Sequence, residues 1–315
     1  MKIKSLKRIA YSGKVYNFHC VPSENYFSEN ILVHNCYKAN TPDGTYMSYE
    51  TFTRIFDLVN ESRTLTQIAF GVDARAESNP DMLAIMEYSR RHGVIPNVTV
   101  ANISPEKAKD LASVCGAVSV SRYQDKEQCY NSIQYLHDAG LKYINIHCML
   151  SEETVGLVLE TFQDYLSDPR LKYITAIILL SLKQKGRGVG YHPVPQISFT
   201  QLYQEALEND IPLGFDSCTY HKMVQASKDL SIPQKEIEEL QIVADPCESG
   251  LMSLYADVNG TVFPCSFMES ADEWDEGISL LKAKNFLTDV WKHPKMELWR
   301  KNLLGNDRRC PVYIV

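Results

Sequence analysis

Short apolar segments and amphipathic helical segments alternate between residues 48 and 217, and this alternation constrains the fold more than any other feature. Strands are predicted near residues 66–71, 96–101, 116–121, 142–148, 173–181 and 211–216. Helices are predicted near residues 48–60, 80–92, 104–114, 125–139, 151–167 and 198–209. Strands that alternate with helices pair in parallel, so the sequence predicts an α/β fold. Ligands of such sheets bind at the carboxyl ends of the strands.

The composition is that of a globular protein, with 44% hydrophobic and 23% charged residues. The longest apolar run, residues 174–180, is far shorter than the roughly 20 residues of a membrane helix. Lys2, Lys4 and Lys7 occupy the place where a secretion signal needs apolar residues. We therefore expect a cytoplasmic protein without a membrane partner, and nothing in the sequence indicates a nucleic-acid partner.

Charge is distributed unevenly along the chain. Residues 1–35 contain five basic and two acidic side chains, a net charge of +3, whereas the whole chain carries −7. The remaining residues therefore carry −10. Residues 1–35 also contain short strands joined by turns, unlike the segment that follows. Together with the end of the alternation, this contrast predicts three domains, at residues 1–35, 36–217 and 218–315.

The basic segment contains three short motifs, at residues 15–19 (VYNFH), 25–27 (NYF) and 33–36 (VHNC). This series resembles the C-terminal half of a naturally split intein, a piece of the Hint fold, over residues 1–35. The resemblance implies protein trans-splicing with a separate N-terminal intein half. The charge of +3 favours an acidic surface on that partner. An ordinary β-hairpin leader is the alternative.

The intein resemblance implies roles for the residues at the junction. Asn35 attacks its own main-chain carbonyl and cuts the bond to Cys36, in a reaction that intramolecular positioning accelerates. His34 polarises that carbonyl or protonates the leaving amine. Cys36 accepts the incoming acyl chain as a nucleophile. One histidine of the family pattern is replaced, and His19 is the nearby substitute.

Residues 36–44 (CYKANTPDG) precede the first predicted helix of the domain at residues 36–217. They resemble the stretch after the cluster-binding loop of radical S-adenosylmethionine (AdoMet) enzymes. Three cysteines of the motif Cys-x3-Cys-x2-Cys hold a [4Fe–4S] cluster there and leave one iron to bind AdoMet. Only the last cysteine, Cys36, is present. The resemblance implies that the N-terminal partner polypeptide supplies the other two cysteines and the first barrel strand. A reductant such as flavodoxin or ferredoxin is implied as a further partner.

The same resemblance implies cofactor-binding residues at the ends of strands. Gly71 and Asp73 occupy the place of the family's Gly-Gly-Glu, and Tyr37 follows the cluster cysteine. The other predicted cofactor-binding residues are Ser119, Ser121, Asn145 and Ser181. Polar residues that end strands without binding a ligand are the alternative.

The chain contains nine cysteines, an odd number that argues against a disulfide framework. Three cysteines in apolar segments are predicted to pack in the core: Cys115, Cys129 and Cys148. The spacing of Cys247, Gly260 and Cys265 resembles the auxiliary-cluster extensions (twitch or SPASM type) of radical AdoMet enzymes. The implied metal ligands are Cys218, Cys247, Cys265 and Cys310. They would hold a second [4Fe–4S] cluster, with zinc or unligated thiols as alternatives.

These resemblances predict an incomplete parallel barrel, a partial TIM barrel of the (β/α)6 type. It would follow a short all-β intein segment and precede a small α+β extension that bears cysteines. The predicted function is a splicing precursor of an enzyme that reductively cleaves AdoMet to a 5′-deoxyadenosyl radical. Its substrate would be a peptide or protein, and the unspliced chain would be inactive in radical chemistry. The alternative is a zinc-stabilised binding protein or a decayed fragment.

Overall fold

The computed structural model describes residues 27–28, 31–32, 46–71 and 79–313. The strands are β1 (Phe27–Ser28), β2 (Ile31–Leu32), β3 (Gln67–Phe70), β4 (Ile95–Val100), β5 (Ala117–Ser121), β6 (Tyr143–Leu150), β7 (Ala176–Ser181), β8 (Leu213–Phe215), β9 (Tyr255–Ala256), β10 (Thr261–Phe263) and β11 (Ile278–Ser279). The α-helices are α1 (Tyr49–Val59), α2 (Met82–Arg91), α3 (Pro105–Val114), α4 (Lys126–Asp138), α5 (Val155–Ser167), α6 (Gln196–Glu208), α7 (Tyr220–Asp229), α8 (Gln234–Val243) and α9 (Pro294–Gly305).

Strands β3 to β8 form one parallel sheet in which each strand neighbours the next along the chain. The predicted α/β fold with a parallel sheet is confirmed, and the predicted boundaries agree with the structure to within four residues. The largest differences fall where short 3-10 turns replace regular structure. Glu152–Thr154 precedes α5, and Pro169–Tyr173 precedes β7. Among the strands that the structure describes, β3 and β8 form the two edges of this sheet.

Several of the helices between the strands are preceded by a residue whose side chain caps the first turn. The hydroxyl of Ser48 accepts a hydrogen bond from the backbone N–H of Thr51 at 3.1 Å, as expected for the residue before α1. Ser104 caps α3 in the same way, and Pro105 occupies the first position of that helix. These caps satisfy amide groups that a helix leaves unpaired, so the boundaries are encoded locally.

The two faces of the sheet differ in polarity, because successive side chains of a strand point to opposite faces. On β6, Ile144 and Ile146 are buried in the main hydrophobic core beneath the helices. The intervening residues Asn145 and His147 are only partly buried and face the other way. We call this second face the inner face. On the central strands it is formed by Asn97, Thr99, Ala117, Ser119, Ser121, Asn145, His147 and Ile178.

The helical layer of the sheet continues beyond β8. The strand–helix alternation stops after residue 217, as predicted, but α7 and α8 still pack on the main core. Met223 and Ala226 of α7 are buried in that core, and Leu240 of α8 packs against it. In the described part of the chain, no helix combines the length and the apolar character needed to cross a membrane.

Residues 245–313, which we call the tail, pack around the antiparallel sheet β9–β10–β11. Gly260 lies between β9 and β10 with a φ of +76°, which glycine adopts without strain, so it makes the predicted hairpin turn. The hydrophobic core of the tail includes Ile55 of α1. Arg54 of the same helix donates a hydrogen bond to the carbonyl oxygen of Leu281 at 2.7 Å. These contacts attach the tail to α1.

Strands β1 and β2 pair in antiparallel register, with Phe27 opposite Leu32. The pair lies within residues 1–35, where the sequence predicts short strands joined by turns. The residues predicted to carry out splicing lie outside the described residues: His19, His34, Asn35 and Cys36.

Candidate cofactor site and cysteine cluster

The inner face carries two rows of polar residues that the strand register places side by side. In the first row, Thr99 is paired with Ser119, and Ser119 is paired with Asn145. In the second row, nearer the carboxyl ends of the strands, Ser121 is paired with His147. Three predicted cofactor-binding residues, Ser119, Ser121 and Asn145, therefore lie together on one face.

The side chains of these two rows have unused hydrogen-bonding capacity. Within the described residues, none of them makes a hydrogen bond to another protein group, and their polar atoms remain accessible. At the amino ends of the strands the situation differs. The amide of Asn97 donates to Gln67 at 3.0 Å and accepts from the backbone N–H of Ala117 at 2.9 Å. A few polar groups that converge at one place are typical of a ligand site.

His147 is the titratable residue of the second row. Burial lowers the pKa of His147 to about 4, although the carboxylate of Asp216 acts in the opposite direction. The imidazole is therefore neutral near pH 7 and offers one nitrogen as donor and the other as acceptor. Asp216 follows β8, so the end of that strand lies within electrostatic range of the inner face.

A buried network joins the ends of β7 and β8. The ammonium of Lys183 lies 2.5 Å from the carboxylate of Asp216. The backbone N–H of Thr219 donates to Asp216 at 2.9 Å, and the hydroxyl of Thr219 lies 2.8 Å from that of Ser181. Ser181 was predicted to bind the cofactor. Its side chain lies on the helix-covered side of β7 and does not join the two polar rows.

Four cysteines gather where the tail meets the end of the sheet. Burial raises the pKa of Cys218 to about 12 and that of Cys265 to about 11. Cys247 contributes to both shifts, and Cys310 contributes to the shift of Cys265. Each thiol is therefore within electrostatic range of at least one other. The structure thus brings together the four cysteines predicted as metal ligands.

The spacing of these thiols is wider than one zinc ion requires. Four sulfur atoms at about 2.3 Å from one ion stand about 3.8 Å apart. Among the described residues, no three of these sulfur atoms all lie within 4.8 Å of one another. Four thiols are the donor set of a [4Fe–4S] cluster and also of a structural zinc ion.

Hydrogen bonds fix the positions of Cys247 and Cys310. The sulfur of Cys247 lies 3.1 Å from the hydroxyl of Ser249. The backbone N–H of Tyr313 donates to the sulfur of Cys310 at 3.3 Å. The hydroxyl of Tyr313 donates to the carbonyl oxygen of Phe267 at 3.1 Å. The last described segment of the tail is thus fixed beside the loop that follows Cys265.

The remaining predicted residues belong neither to the two polar rows nor to the group of four cysteines. Gly71 is exposed at the carboxyl end of β3, with a φ of +91°. Cys36, Tyr37 and Asp73 lie outside the described residues. The cysteines predicted to pack in the core are confirmed as buried there: Cys115, Cys129 and Cys148.

Sequence reasoning did not single out Thr99 or Asp216 as site residues. Thr99 lies between Val98 and Val100, so strict alternation along β4 could have placed it on the inner face. Asp216 had no such signal, because its partner Lys183 is 33 residues away along the chain.

No family model and no curated protein matches the chain. Solved structures do resemble it. Native anSMEcpe with bound AdoMet and Cp18Cys peptide has a TM-score of 0.55 and 14% identity, over 80% of this chain and 74% of that chain. Histidine-tagged anSMEcpe with bound AdoMet has a TM-score of 0.54 and 15% identity, over 80% and 70%. At such identity the likeness shows the fold alone, which this chain shares with anSMEcpe over 80% of its length.

Protonation of His147 is expected to destabilise the protein as the pH falls. Its pKa is about 4 in the folded protein against 6.5 for an ordinary histidine, so the unfolded chain binds the proton first. Stability present above pH 6.5 is therefore lost between pH 6.5 and 4. Between pH 7 and 5 the wild type should lose roughly 1–2 kcal/mol more than His147→Gln, from about 1.4 kcal/mol per pKa unit.

Urea unfolding at both pH values measures this difference. His137→Gln, at a histidine on the outer helix α4, serves as the control and should keep the wild-type pH dependence. Equal pH dependence in the wild type and His147→Gln would contradict the prediction.

Proposed function

We propose that this chain is the larger part of a radical AdoMet enzyme, and that AdoMet binds against the inner face of the sheet. The two polar rows carry this proposal. Their side chains have no hydrogen-bond partners within the described residues, although Ser119 is only 8% exposed and His147 is largely buried. The second row reaches the carboxyl end of β5, and the first row lies beside it along the strands. Ligands of such folds bind at the carboxyl ends of the strands. The fold is like that of a protein solved with AdoMet bound.

The chemical groups of AdoMet suit these side chains. The cofactor presents an amino group, a carboxylate, ribose hydroxyls and an adenine ring. The hydroxyls of Thr99 and Ser119 and the amide of Asn145 each offer both a donor and an acceptor. The neutral imidazole of His147 does the same. Gly71 has no side chain and lets a ligand approach the backbone at the end of β3. Next to a reduced cluster, AdoMet supplies a 5′-deoxyadenosyl radical for hydrogen-atom abstraction.

The first cluster would be held by Cys36 and two cysteines of a partner polypeptide. Tyr37 and Asp73 are proposed to lie close to the cofactor there. The sequence resemblance at residues 36–44 supports this part of the proposal. The electron would come from a reductant such as flavodoxin or ferredoxin.

A second [4Fe–4S] cluster is proposed for the four cysteines between sheet and tail. Four thiols from separate segments lie where the tail meets the end of the sheet, and a [4Fe–4S] cluster takes four thiolate ligands. We propose a peptide or protein substrate for the enzyme. This follows the neighbour solved with a bound Cp18Cys peptide and the type of extension that the cysteine spacing resembles.

Residues 1–35 are proposed to be the C-terminal half of a split intein. In that role Asn35 releases the segment, assisted by His34 and His19. Cys36 becomes the splicing nucleophile and then a cluster ligand. The support is the series of sequence motifs that ends in VHNC.

Iron binding tests the second cluster. Anaerobic reconstitution of the full chain with iron and sulfide should give about four irons per chain, because Cys36 alone cannot hold another cluster. Cys265→Ala should lose most of this iron, whereas Cys115→Ala, at a core thiol, should keep it. Iron and sulfide analysis with visible absorbance measures the outcome. Stoichiometric zinc without iron would instead support a zinc-stabilised binding protein.

AdoMet binding tests the inner face. Asn145→Ala should weaken binding about tenfold or more, since a hydrogen bond to a charged group contributes roughly 1.5–3 kcal/mol. Equilibrium dialysis of the spliced and reconstituted product with labelled AdoMet measures the dissociation constant. The matched control is Asn259→Ala, at an exposed position of the tail hairpin. Equal affinity in both variants would exclude the first polar row as the cofactor site.

Splicing is tested by coexpression with an N-terminal half whose product ends in Cys-x3-Cys-x2. The chain should lose residues 1–35 and gain the mass of that half's extein. Asn35→Ala should abolish release of the segment, because cleavage needs the asparagine amide. Asn30→Ala should still splice. Intact mass spectrometry measures both, and release from Asn35→Ala at the wild-type rate would refute the intein assignment.

A further inference from the structure

A short turn and a loop meet at the carboxyl end of the parallel sheet. The 3-10 turn Glu152–Thr154 follows β6, and residues 182–195 connect β7 to α6. The backbone N–H of Glu152 donates to the carbonyl oxygen of His192 at 2.9 Å. The backbone N–H of His192 in turn donates to the carboxylate of Glu153 at 3.1 Å. The two segments are therefore joined by reciprocal hydrogen bonds.

Three side chains that can bind a metal ion converge at this contact. One ligand atom from each of Glu152, Glu153 and His192 lies within 4.8 Å of the other two. The Nδ1 atom of His192 lies 2.7 Å from a carboxylate oxygen of Glu153. Two ligands at right angles on one ion, each at about 2.1 Å, stand about 3.0 Å apart. This pair therefore has nearly the separation of neighbouring metal ligands.

The two carboxylates concentrate negative charge at this contact. Within the described residues, neither Glu152 nor Glu153 is ion-paired with a lysine or an arginine. The hydrogen bond and charge of Glu153, together with the charge of Glu152, raise the pKa of His192. A divalent cation would neutralise both carboxylates, whereas one imidazolium neutralises a single one. The His192 side chain is 67% exposed, so water molecules can occupy the remaining positions on such an ion.

Further hydrogen bonds hold both segments. The hydroxyl of Thr154 accepts from the backbone N–H of Ser151 at 2.9 Å and donates to the carbonyl oxygen of Met149 at 2.6 Å. In the loop, the backbone N–H of Tyr191 donates to the carbonyl oxygen of Gly188 at 3.2 Å. Ligands on a fixed backbone lose little conformational freedom when they bind, which raises affinity. The three side chains are thus presented by ordered segments that already touch each other.

We propose that Glu152, Glu153 and His192 bind one divalent transition-metal ion, which cross-links the turn after β6 to the loop before α6. Carboxylates suit Mn²⁺ and imidazole suits Fe²⁺, Ni²⁺ and Zn²⁺, so the mixed set favours transition metals over Mg²⁺ and Ca²⁺. The ion replaces the proton between Nδ1 and Glu153. That proton is released to solvent from a charged ring, or is exchanged for one on Nε2 in a neutral ring. The site contains no cysteine and is independent of the proposed cofactor and cluster sites.

Manganese binding tests the site in the unspliced full chain after chelator treatment, because Mn²⁺ prefers oxygen ligands to thiolates. Electron paramagnetic resonance measures free Mn²⁺ during a titration and should show about one tightly bound ion per chain. Electron spin echo modulation of the bound ion should show coupling to an imidazole nitrogen. His192→Gln should abolish this coupling. Glu152→Gln should weaken binding at least tenfold, since even residues that only orient a ligand contribute about tenfold to metal affinity.

Two variants serve as matched controls. His92→Gln removes an exposed histidine whose Nδ1 atom also has a hydrogen-bond partner, the carbonyl oxygen of Tyr88 at 2.8 Å. Glu208→Gln removes an exposed carboxylate of α6. Both should keep the wild-type affinity and the nitrogen coupling. Mn²⁺ should also slow amide hydrogen exchange in residues 184–192 of the wild type, but not of His192→Gln.

Failure to bind Mn²⁺, or nitrogen coupling that persists in His192→Gln, would overturn the inference. Equal loss of affinity in Glu152→Gln and Glu208→Gln would also overturn it, because it would indicate a diffuse counterion at an acidic surface. The carboxylate of Glu152 makes no hydrogen bond within the described residues, so its replacement removes no contact. The comparison of these two variants therefore decides the matter even if His192→Gln is unstable.

Discussion

Burial of one face of the parallel sheet beneath its helices is the constraint on which the rest of the structure depends. Residues such as Ile144, Ile146 and Val118 are fully buried in that layer. Because side chains alternate along a strand, fixing the buried face also fixes which residues form the inner face. A one-residue slip in register would move Ser119 and Asn145 into the apolar layer. The accessible polar rows are thus a consequence of core packing.

The tail depends on the sheet through two separate attachments. Near β7, Lys183 and Lys185 contact the tail loop at Phe267. At the other side, Ile55 of α1 belongs to the tail's hydrophobic core. The tail therefore spans from the β7–β8 edge to the helix that precedes β3. Such a double attachment holds the tail cysteines beside Cys218 without a covalent link.

The secondary structure was predictable from local signals. Periodicity placed all six strands of the parallel sheet, and Ser48 and Ser104 marked helix starts because their side chains cap amides within three residues. The hairpin at Gly260 followed from a residue that tolerates positive φ. Part of the candidate site also followed, because alternation along neighbouring parallel strands places Ser119 and Asn145 on one face. Ser181 is the exception, since its hydroxyl is paired with Thr219 on the helix-covered side.

The sequence by itself determined the order of strands and helices, the placement of Ser119, Ser121 and Asn145 on strands of the parallel sheet, and the number and spacing of the cysteines. These properties depend on neighbours only a few residues away. Only the tertiary structure decided that the four cysteines converge and that Lys183 is paired with Asp216. These contacts join side chains far apart in the chain, and their formation depends on how sheet and tail pack. Burial and charge at such junctions have no local sequence signature.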